Sequence, residues 1–246
     1  MSPLAPIFIT MKVINKVTTI LITLTLMVLL VSAGKSEGES ENPAGTAPVP
    51  GQTPVPLQAR IEVVFIEGEV LINGQEPELG DRLGTNFVIQ TGKGARCDIV
   101  FNSGNALSVG QNALADFDFA NQVASVRVDR GGLSSVLKKL TQITDTDAFT
   151  VQTATAVAGV RGTSFCVWVD DSSSYICACN GIVHVQDSTG GNDEVLEAAH
   201  HTARYFSKTG AAIDKETAGM RHHTDDSLQS VASRIGHVIN WNTIDG

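Results

Sequence analysis

The sequence predicts an all-β domain, built as a compact β-sandwich or a solenoid, with a short α-helical extension at its C-terminus. Short runs rich in β-branched and aromatic residues, such as Ile61 to Ile66 and Phe87 to Ile89, recur at a spacing of roughly ten residues. Turn residues such as Asn73-Gly74 and Thr91-Gly92 separate these runs. Long helical patterns are absent between Ala59 and Asp187, so the pattern favours packed or stacked strands.

The N-terminal residues 1–33 have the pattern of a secretory signal peptide. Lys12 and Lys16 precede an apolar run from Val17 to Val31, and cleavage is expected after Ala33. Met11 is the more natural start, because it gives a leader of ordinary length. An uncleaved membrane anchor is the alternative, although the run is shorter than the roughly 20 residues that a span needs. We therefore predict an exported protein, periplasmic or extracellular, that meets a membrane only through an uncleaved leader.

Three further parts follow the leader. Residues 34–58 form a linker that we expect to be disordered, because Pro, Ser and Gly are frequent and no apolar periodicity appears. Residues 59–187 form the predicted β domain, and residues 188–246 form a C-terminal extension. Within this extension, the segment 192–206 is ambiguous between a strand and a short helix.

An amphipathic helix is predicted at residues 225–240 of the extension. Thr224 is a suitable N-cap, and Asp225 and Asp226 place two acids in the first turn, where they favour a helix start. A one-sided apolar stripe follows at helical spacing, which indicates that the helix packs on the β domain. The stripe consists of Leu228, Val231, Ala232, Ile235, Val238 and Ile239.

The charge of the chain restricts its partners. The 246 residues include 17 Lys and Arg against 26 Asp and Glu, which gives a formal net charge of −9. Such an acidic chain is unsuited to neutralising phosphates, so we expect no nucleic-acid partner. Hydrophobic residues make up 42% of the chain, which excludes a fully disordered protein.

The β region carries a series of specific motifs. Its first half contains Leu79-Gly80-Asp81-Arg82-Leu83-Gly84 and Ile89-Gln90-Thr91-Gly92. Its second half contains Gly131-Gly132-Leu133, Asn180-Gly181-Ile182-Val183-His184-Val185 and the most specific stretch, Ala156-Val157-Ala158-Gly159-Val160-Arg161-Gly162-Thr163-Ser164-Phe165. From about Ala59 to Val185 the chain resembles the FecR domain. This resemblance implies a compact all-β fold outside the cytoplasm, and the founding members of the family relay a signal from an outer-membrane receptor to a cytoplasmic sigma factor.

The chain departs from those founding members at its N-terminus. A signal-relaying member carries a cytoplasmic domain before its membrane span, and too few residues precede Val17 for such a domain. We therefore expect a stand-alone exported FecR module whose partner is a protein or a cell-envelope component. Within the most specific stretch, Arg161 lies between two glycines, and we expect it to hydrogen-bond a loop rather than to bind an anion.

Two cysteines and two pairs of histidines indicate a metal site. Cys177 and Cys179 lie in a β run, and residues i and i+2 of a strand point to the same face. Adjacent residues of a strand face opposite ways, so we expect one histidine of each pair to be a ligand. Two thiolates and two imidazoles would complete a tetrahedral site for one zinc or iron ion. The candidate ligands are Cys177, Cys179, His200, His201 and His223.

Other interpretations of these residues remain open. Asp225 follows His223 closely, and its carboxylate could orient an imidazole from outside the ligand set. The turn at residues 170–174 pairs the strand of Cys166 with that of Cys177 and Cys179, so a cross-strand disulfide from Cys166 is an alternative to the metal. Cys97 would then be a core thiol, and the histidines could be surface residues. The Cys-x-Cys, His-His and His-Thr-Asp series itself resembles the region beyond the core domain in some FecR-domain proteins.

The sequence favours a protein without catalytic activity. It contains no Gly-x-Ser-x-Gly elbow, phosphate-binding loop, dinucleotide fingerprint or haem-attachment motif. The leading hypothesis is an exported FecR-domain binding or sensing protein, in which a structural metal joins the C-terminal extension to the β domain. The alternatives are a metal-free interaction module held by a Cys166 disulfide and a thiol or redox enzyme.

Overall fold

The structure, a computed structural model, describes residues 60–102, 104–120, 124–138, 149–160 and 162–244. The predicted signal peptide at 1–33, the linker at 34–58 and Arg161 lie outside the described residues. Within the described ranges, no helix is long and apolar enough to cross a membrane.

Fifteen strands and one helix occur in the described residues, so the prediction of an all-β domain with a short helix is confirmed. The first eight strands are β1 (Ile61–Glu67), β2 (Val70–Ile72), β3 (Arg82–Leu83), β4 (Asn86–Thr91), β5 (Arg96–Phe101), β6 (Asn105–Val109), β7 (Leu114–Asp118) and β8 (Ala124–Leu137). The remaining elements are β9 (Phe149–Gln152), β10 (Ala156–Val160), β11 (Ser164–Val169), β12 (Ser173–Asp187), β13 (Glu194–Ala198), β14 (Thr202–Thr209), β15 (Ala212–Ala218) and the helix α1 (Asp225–Ser233).

The strands form two layers that share two long strands. The first layer runs β3-β1-β5-β6-β8-β11-β12-β14-β15, and all its neighbours are antiparallel. The second layer runs β2-β4-β7-β8-β9-β10-β12-β13, and its β8–β9 pair is parallel. Strands β8 and β12 are each divided between the layers: one part of the strand pairs in the first layer and the other part pairs in the second. Of the two architectures that the sequence allows, this arrangement is the β-sandwich.

Glycines occupy the points where the two long strands pass between the layers. In β8, Arg130 pairs in the second layer and Gly131 pairs in the first. In β12, Asn180 pairs in the first layer and Gly181 pairs in the second. The φ angles of Gly131 and Gly181 are 77° and 124°. Because side chains with a Cβ atom rarely adopt such angles, glycine permits both strands to change layers.

We expect Gly131→Ala to destabilise the protein strongly. An added Cβ atom would lie 2.6 Å from the Cα atom of Ala113, and the φ angle of 77° adds backbone strain. Gly80→Ala is the matched control, because its φ angle is 90° but no atom lies within 4 Å of the added Cβ. We expect about 1–2 kcal/mol of strain at Gly80 and about 1–3 kcal/mol more at Gly131, measured by urea unfolding. Equal losses for the two variants would contradict the packing argument.

Alternation of side chains gives the first layer two apolar faces. Its inner face and the second layer enclose the main core, where the rings of Phe87 and Phe117 stack with centroids 4.7 Å apart. Its outer face is covered by α1 and forms a second cluster, which we call the helix-side core. The helix-side core consists of Ala106, Val136, Cys166, Tyr175, Cys177, Cys179, Ala203, Leu228, Val231, Ala232 and Ile239. Three of the four cysteines therefore belong to the helix-side core.

The C-terminal extension is less helical than the sequence predicts. Residues 192–206, left ambiguous by the sequence, contribute β13 and the start of β14. Thr224 caps α1 as predicted, and its hydroxyl oxygen accepts a hydrogen bond from the backbone N–H of Ser227 at 3.1 Å. The predicted range 225–240 is too long, because α1 ends at Ser233. Gly236 then adopts a φ angle of 64°, which turns the chain.

The turn after α1 interrupts the apolar stripe that the sequence predicts. Val238 is 77% exposed, whereas Ile239 is buried. The Gln229 side chain holds this turn: its Nε2 donates to the carbonyl of His237 at 2.9 Å, and its Oε1 accepts from the N–H of Ile239 at 3.1 Å. The helical spacing of the stripe therefore holds only as far as the helix itself.

A buried carboxylate fixes the end of α1 to the first layer. Asp98 of β5 is fully buried and accepts hydrogen bonds from Arg96 at 2.7 and 2.8 Å. It also accepts a hydrogen bond from Nε of Arg234, just past the helix, at 2.9 Å. The Arg234 guanidinium lies over the ring of Phe65 at 4.3 Å from its centroid. This ion-pair cluster is a second attachment of the helix, separate from the thiol region.

Candidate metal centre

The predicted hairpin brings three thiols onto one face of the first layer. Cys166 on β11 pairs in register with Cys177 on β12, and Cys179 follows on the same face. The side chains of Cys177 and Cys179 are fully buried. All four cysteines are free thiols in the structure, so the disulfide that the sequence left open is not formed here.

His201 reaches the thiols from the connection between β13 and β14. Its backbone has a φ angle of 53°, and its N–H donates to the carbonyl of Cys179 at 3.0 Å. Its Nδ1 atom lies 3.6 Å from the Sγ atom of Cys177. Its Nε2 atom lies 2.7 Å from a carboxylate oxygen of Asp225. The carboxylate at the start of α1 therefore orients this imidazole, as the sequence suggested for one of the histidines.

His223 approaches from the segment that joins β15 to α1. Its Nδ1 atom lies 2.6 Å from the carbonyl oxygen of Arg221. Its Nε2 atom lies 3.4 Å from the Sγ atom of Cys179 and 3.3 Å from Nδ1 of His201. The buried hydroxyl of Tyr175 holds the same segment, because it accepts from the N–H of Arg221 and donates to the carbonyl of Gly219.

The four side chains have the dimensions of a tetrahedral site. The ligand atoms of Cys177, Cys179, His201 and His223 all lie within 4.8 Å of one another. Zinc bonds of about 2.3 Å to sulfur and about 2.0–2.1 Å to nitrogen place the ligand atoms of a tetrahedron about 3.3–3.8 Å apart. The three separations given above, 3.3, 3.4 and 3.6 Å, lie in that range.

The outer partners of the imidazoles determine which nitrogens face the centre. A carbonyl oxygen only accepts hydrogen bonds, so the Nδ1 atom of His223 must carry its proton. The carboxylate of Asp225 likewise accepts a hydrogen bond from the Nε2–H of His201. In the neutral rings, the inner atoms are Nε2 of His223 and Nδ1 of His201. Their lone pairs then face each other, and the two nitrogens are 3.3 Å apart. Such a pair is repulsive unless a cation or an additional proton lies between the two nitrogens.

Proton affinities in the cluster are strongly shifted. A hydrogen bond from Cys179, opposed by burial and reinforced by His201, lowers the pKa of the Cys177 thiol to about 3. Burial acts against protonation of His223, but hydrogen bonds with Cys166 and Cys177 raise its pKa to about 10. Burial raises the pKa of Cys179 well above its usual value. The cluster thus favours a thiolate beside an imidazolium when no other cation is present, and thiolate is the form that binds metals.

His200, the fifth candidate ligand, lies outside this group. Its side chain is 51% exposed, and its Nε2 atom lies 2.9 Å from Asp225. The positive φ angle of His201 turns the chain at this pair and directs one ring inward and the other to the surface. Together with His201 and Asp225, His200 forms a second cluster of possible ligands, of which only His200 is exposed. Among the paired histidines His222 and His223, the second faces the thiols.

Three further residues support the site without being predicted. Tyr175 anchors the segment before His223, and the ring of Trp241 covers His201 with centroids 5.3 Å apart. The buried Asn180 donates from its side-chain amide to the carbonyls of Ala199 and Thr243, both at 2.8 Å. Tyr175 and Asn180 flank the Cys-x-Cys motif on the same strand, which is the signal that could have identified them.

Fold and site together define a two-layer β-sandwich protein with a Cys/His cluster between its first layer and a C-terminal helix. Residues 87–184 match the model of the family described as FecR protein. This match covers less than half of the chain, and over these residues it confirms the resemblance seen in the sequence. The matched region contains Cys166, Cys177 and Cys179, whereas His201 and His223 lie beyond it.

Two solved structures are similar to part of the chain. Both are crystal structures, at 2.50 and 1.65 Å resolution, of a protein described as a candidate anti-sigma factor from Parabacteroides distasonis ATCC 8503. Each is 17% identical to the chain, and the TM-scores are 0.45 and 0.44. The matches cover 55% and 54% of this chain and 61% and 60% of the other, less than two thirds of its length. The comparison with curated proteins found no match.

Proposed function

We propose that this chain is an exported, non-enzymatic FecR-domain module for binding or sensing, in which one metal ion clamps the C-terminal extension to the β domain. The ligands are Cys177, Cys179, His201 and His223. The observation that carries the proposal is the convergence of four donor atoms at tetrahedral spacing, with both imidazoles held from outside by acceptors. Carboxylate and carbonyl partners of this kind commonly orient metal-binding histidines.

The donor set supports a structural metal rather than a catalytic one. Two thiolates and two imidazoles favour zinc, with iron as the alternative. Four protein ligands fill a tetrahedral ion and leave no position for a substrate. Cys177 and Cys179 are fully buried, so neither thiol is placed to attack a substrate of its own. These features favour a binding role over a thiol or redox enzyme.

The metal would join three segments that are distant in the sequence. The cysteines lie on β12, His201 lies between β13 and β14, and His223 lies just before α1. When all three segments bind one ion, the metal holds the C-terminal extension over the helix-side core. The partner that we infer for the module is a protein or a cell-envelope component, and the acidic net charge of −9 argues against nucleic acid.

The purified protein should contain about one equivalent of zinc or iron. Four protein ligands that converge at these distances bind such an ion tightly. His223→Gln removes one inner nitrogen and should reduce the content to below about a tenth of an equivalent. His200→Gln is the matched control, since this histidine also contacts Asp225 but lies outside the thiol cluster, and it should keep the full content. Elemental analysis by mass spectrometry gives both values.

Two results would contradict the proposal. One is wild-type protein that takes up no metal after reduction and incubation with zinc. The other is loss of the metal from His200→Gln with full content in His223→Gln, because a metal held by His200, His201 and Asp225 would depend on His200 instead.

A further inference from the structure

A third thiol lies beside the proposed ligand set without belonging to it. Cys166 faces Cys177 across the hairpin, and its side chain is within hydrogen-bonding reach of Cys179. It also donates a hydrogen bond to the hydroxyl of Ser134 at 3.2 Å. Four donors already complete the tetrahedron, so the metal leaves Cys166 with no role in it.

A small cavity lies beside Cys166. The cavity has a volume of about 60 Å³, and Ser108, Ser134, Cys166, Trp168 and His222 are among the residues that line it. A volume of about 10–15 Å³ suffices for one water molecule, so this cavity admits a molecule of the size of hydrogen peroxide. Hydroxyl groups in the wall can hydrogen-bond such a guest.

Access distinguishes Cys166 from the other three thiols. Cys97, Cys177 and Cys179 are each 0% exposed, and none of them lines this cavity, whereas Cys166 is 4% exposed and forms part of its wall. A small oxidant that enters the cavity therefore meets Cys166 first. Two of the proposed metal ligands lie beside Cys166: Cys177 faces it across the hairpin, and Cys179 follows on the same face of β12. The side-chain hydrogen bond of Cys166 within this group is with Cys179, so Cys179 is the thiol placed to react with a modified Cys166.

We propose that Cys166 is an oxidation site for a small peroxide, and that its product is a Cys166–Cys179 disulfide that expels the metal. The release of metal rests on the proposed function, whereas the site of oxidation does not. Loss of Cys179 leaves the ion with only three protein ligands. Once the ion is released, it no longer holds the C-terminal extension to the β domain. The structure thus provides a redox control of the same metal site.

The proposed oxidation has two steps, formation of a sulfenic acid and formation of the disulfide. The Cys166 sulfur attacks one oxygen of hydrogen peroxide, the O–O bond breaks, and water leaves, which gives a sulfenic acid. The Cys179 sulfur then attacks the Cys166 sulfur, and its bond to the metal breaks as the S–S bond forms; the S–O bond breaks, and hydroxide leaves and takes up a proton as water. In total, two thiols and one hydrogen peroxide give one disulfide and two water molecules. The peroxide is the two-electron oxidant.

The test treats reduced, zinc-loaded full-length protein with hydrogen peroxide. Peptide mass spectrometry without reduction should identify a Cys166–Cys179 disulfide, and a chromogenic chelator should detect release of about one equivalent of zinc. Cys166→Ser should bind zinc with the same stoichiometry and release it at least about tenfold more slowly. Cys97→Ser is the matched control, because that thiol is also buried but lies in the main core away from the cavity, and it should behave as the wild type.

The outcomes separate this proposal from the proposed function. Release from Cys166→Ser at the wild-type rate, or first oxidation at Cys177, would overturn the role of Cys166. If the wild-type protein never holds zinc, the proposed function fails, but disulfide mapping still decides the oxidation site. If Cys166→Ser is unstable, Cys166→Ala and the mapping on wild-type protein give the same decision.

Discussion

Chelation of the metal is expected to release the C-terminal segment while the two-layer β domain stays folded. The helix α1 has nine residues, which is too short for stability on its own. Burial of Leu228 and Val231 contributes about 1.5–3 kcal/mol each. We expect the packing of so short a helix to be insufficient by itself, because metal binding supplies most of the folding free energy in small domains that have a structural zinc.

Hydrogen exchange measured by mass spectrometry gives the direct test. After chelation, the amides of residues 222–239 should exchange at least about 100-fold faster, while those of β4 to β6 should change little. Cys177→Ser should show the same pattern without chelator, because it lacks a ligand. His200→Gln should exchange as the wild type until chelator is added. Unchanged exchange in residues 222–239 after complete metal removal would show that apolar packing and the Asp98 cluster hold the helix by themselves.

The thiol pair and the N-cap could be predicted because they depend on local geometry. Cys177 and Cys179 share a face in any strand, and the hairpin that brings Cys166 beside them follows from one turn. Thr224 followed by acids predicts a helix start wherever the helix lies. These features need no knowledge of how distant strands pair.

The choice between adjacent histidines could not be predicted, because it depends on backbone angles that tertiary contacts impose. His201 and His222 both adopt positive φ angles, 53° and 64°, which non-glycine residues adopt infrequently. At His201 this turn breaks the alternation expected of a strand, and His200 faces the surface. The backbone bond from His201 to Cys179 stabilises the turn, and it exists only once β12 and β14 have paired.

The role of the glycines within the long strands could likewise be predicted only in part. Gly131 and Gly181 are visible in the sequence as glycines within strands, and such glycines indicate a bulge or a close approach. Their function as crossing points between layers appears only from the pairing of β8 and β12 with different partners on either side. Likewise, nothing near Asp98 in the sequence indicates Arg234, its partner from the far end of the chain.

Asp98→Asn is expected to destabilise the protein by about 3 kcal/mol, because it leaves two guanidinium groups beside a neutral and buried side chain. The carboxylate of Asp98 is fully buried, whereas the side chains of Arg96 and Arg234 are 23% and 26% exposed. Water reaches both guanidinium groups in part, so the loss should lie at the lower end of the range for a broken buried ion pair. Urea unfolding of the metal-loaded protein measures the difference.

The matched control for this prediction is Asp116→Asn. Asp116 pairs with Arg127 at 3.5 Å, but both side chains are about half exposed, at 47% and 58%. Exposed ion pairs contribute about 0.2–1 kcal/mol, so this variant should lose little stability. A similar loss for both variants would mean that desolvation of Asp98 cancels its attraction to the two arginines. A larger loss at Asp98, together with faster exchange in α1, would show that the helix has an electrostatic attachment in addition to the metal.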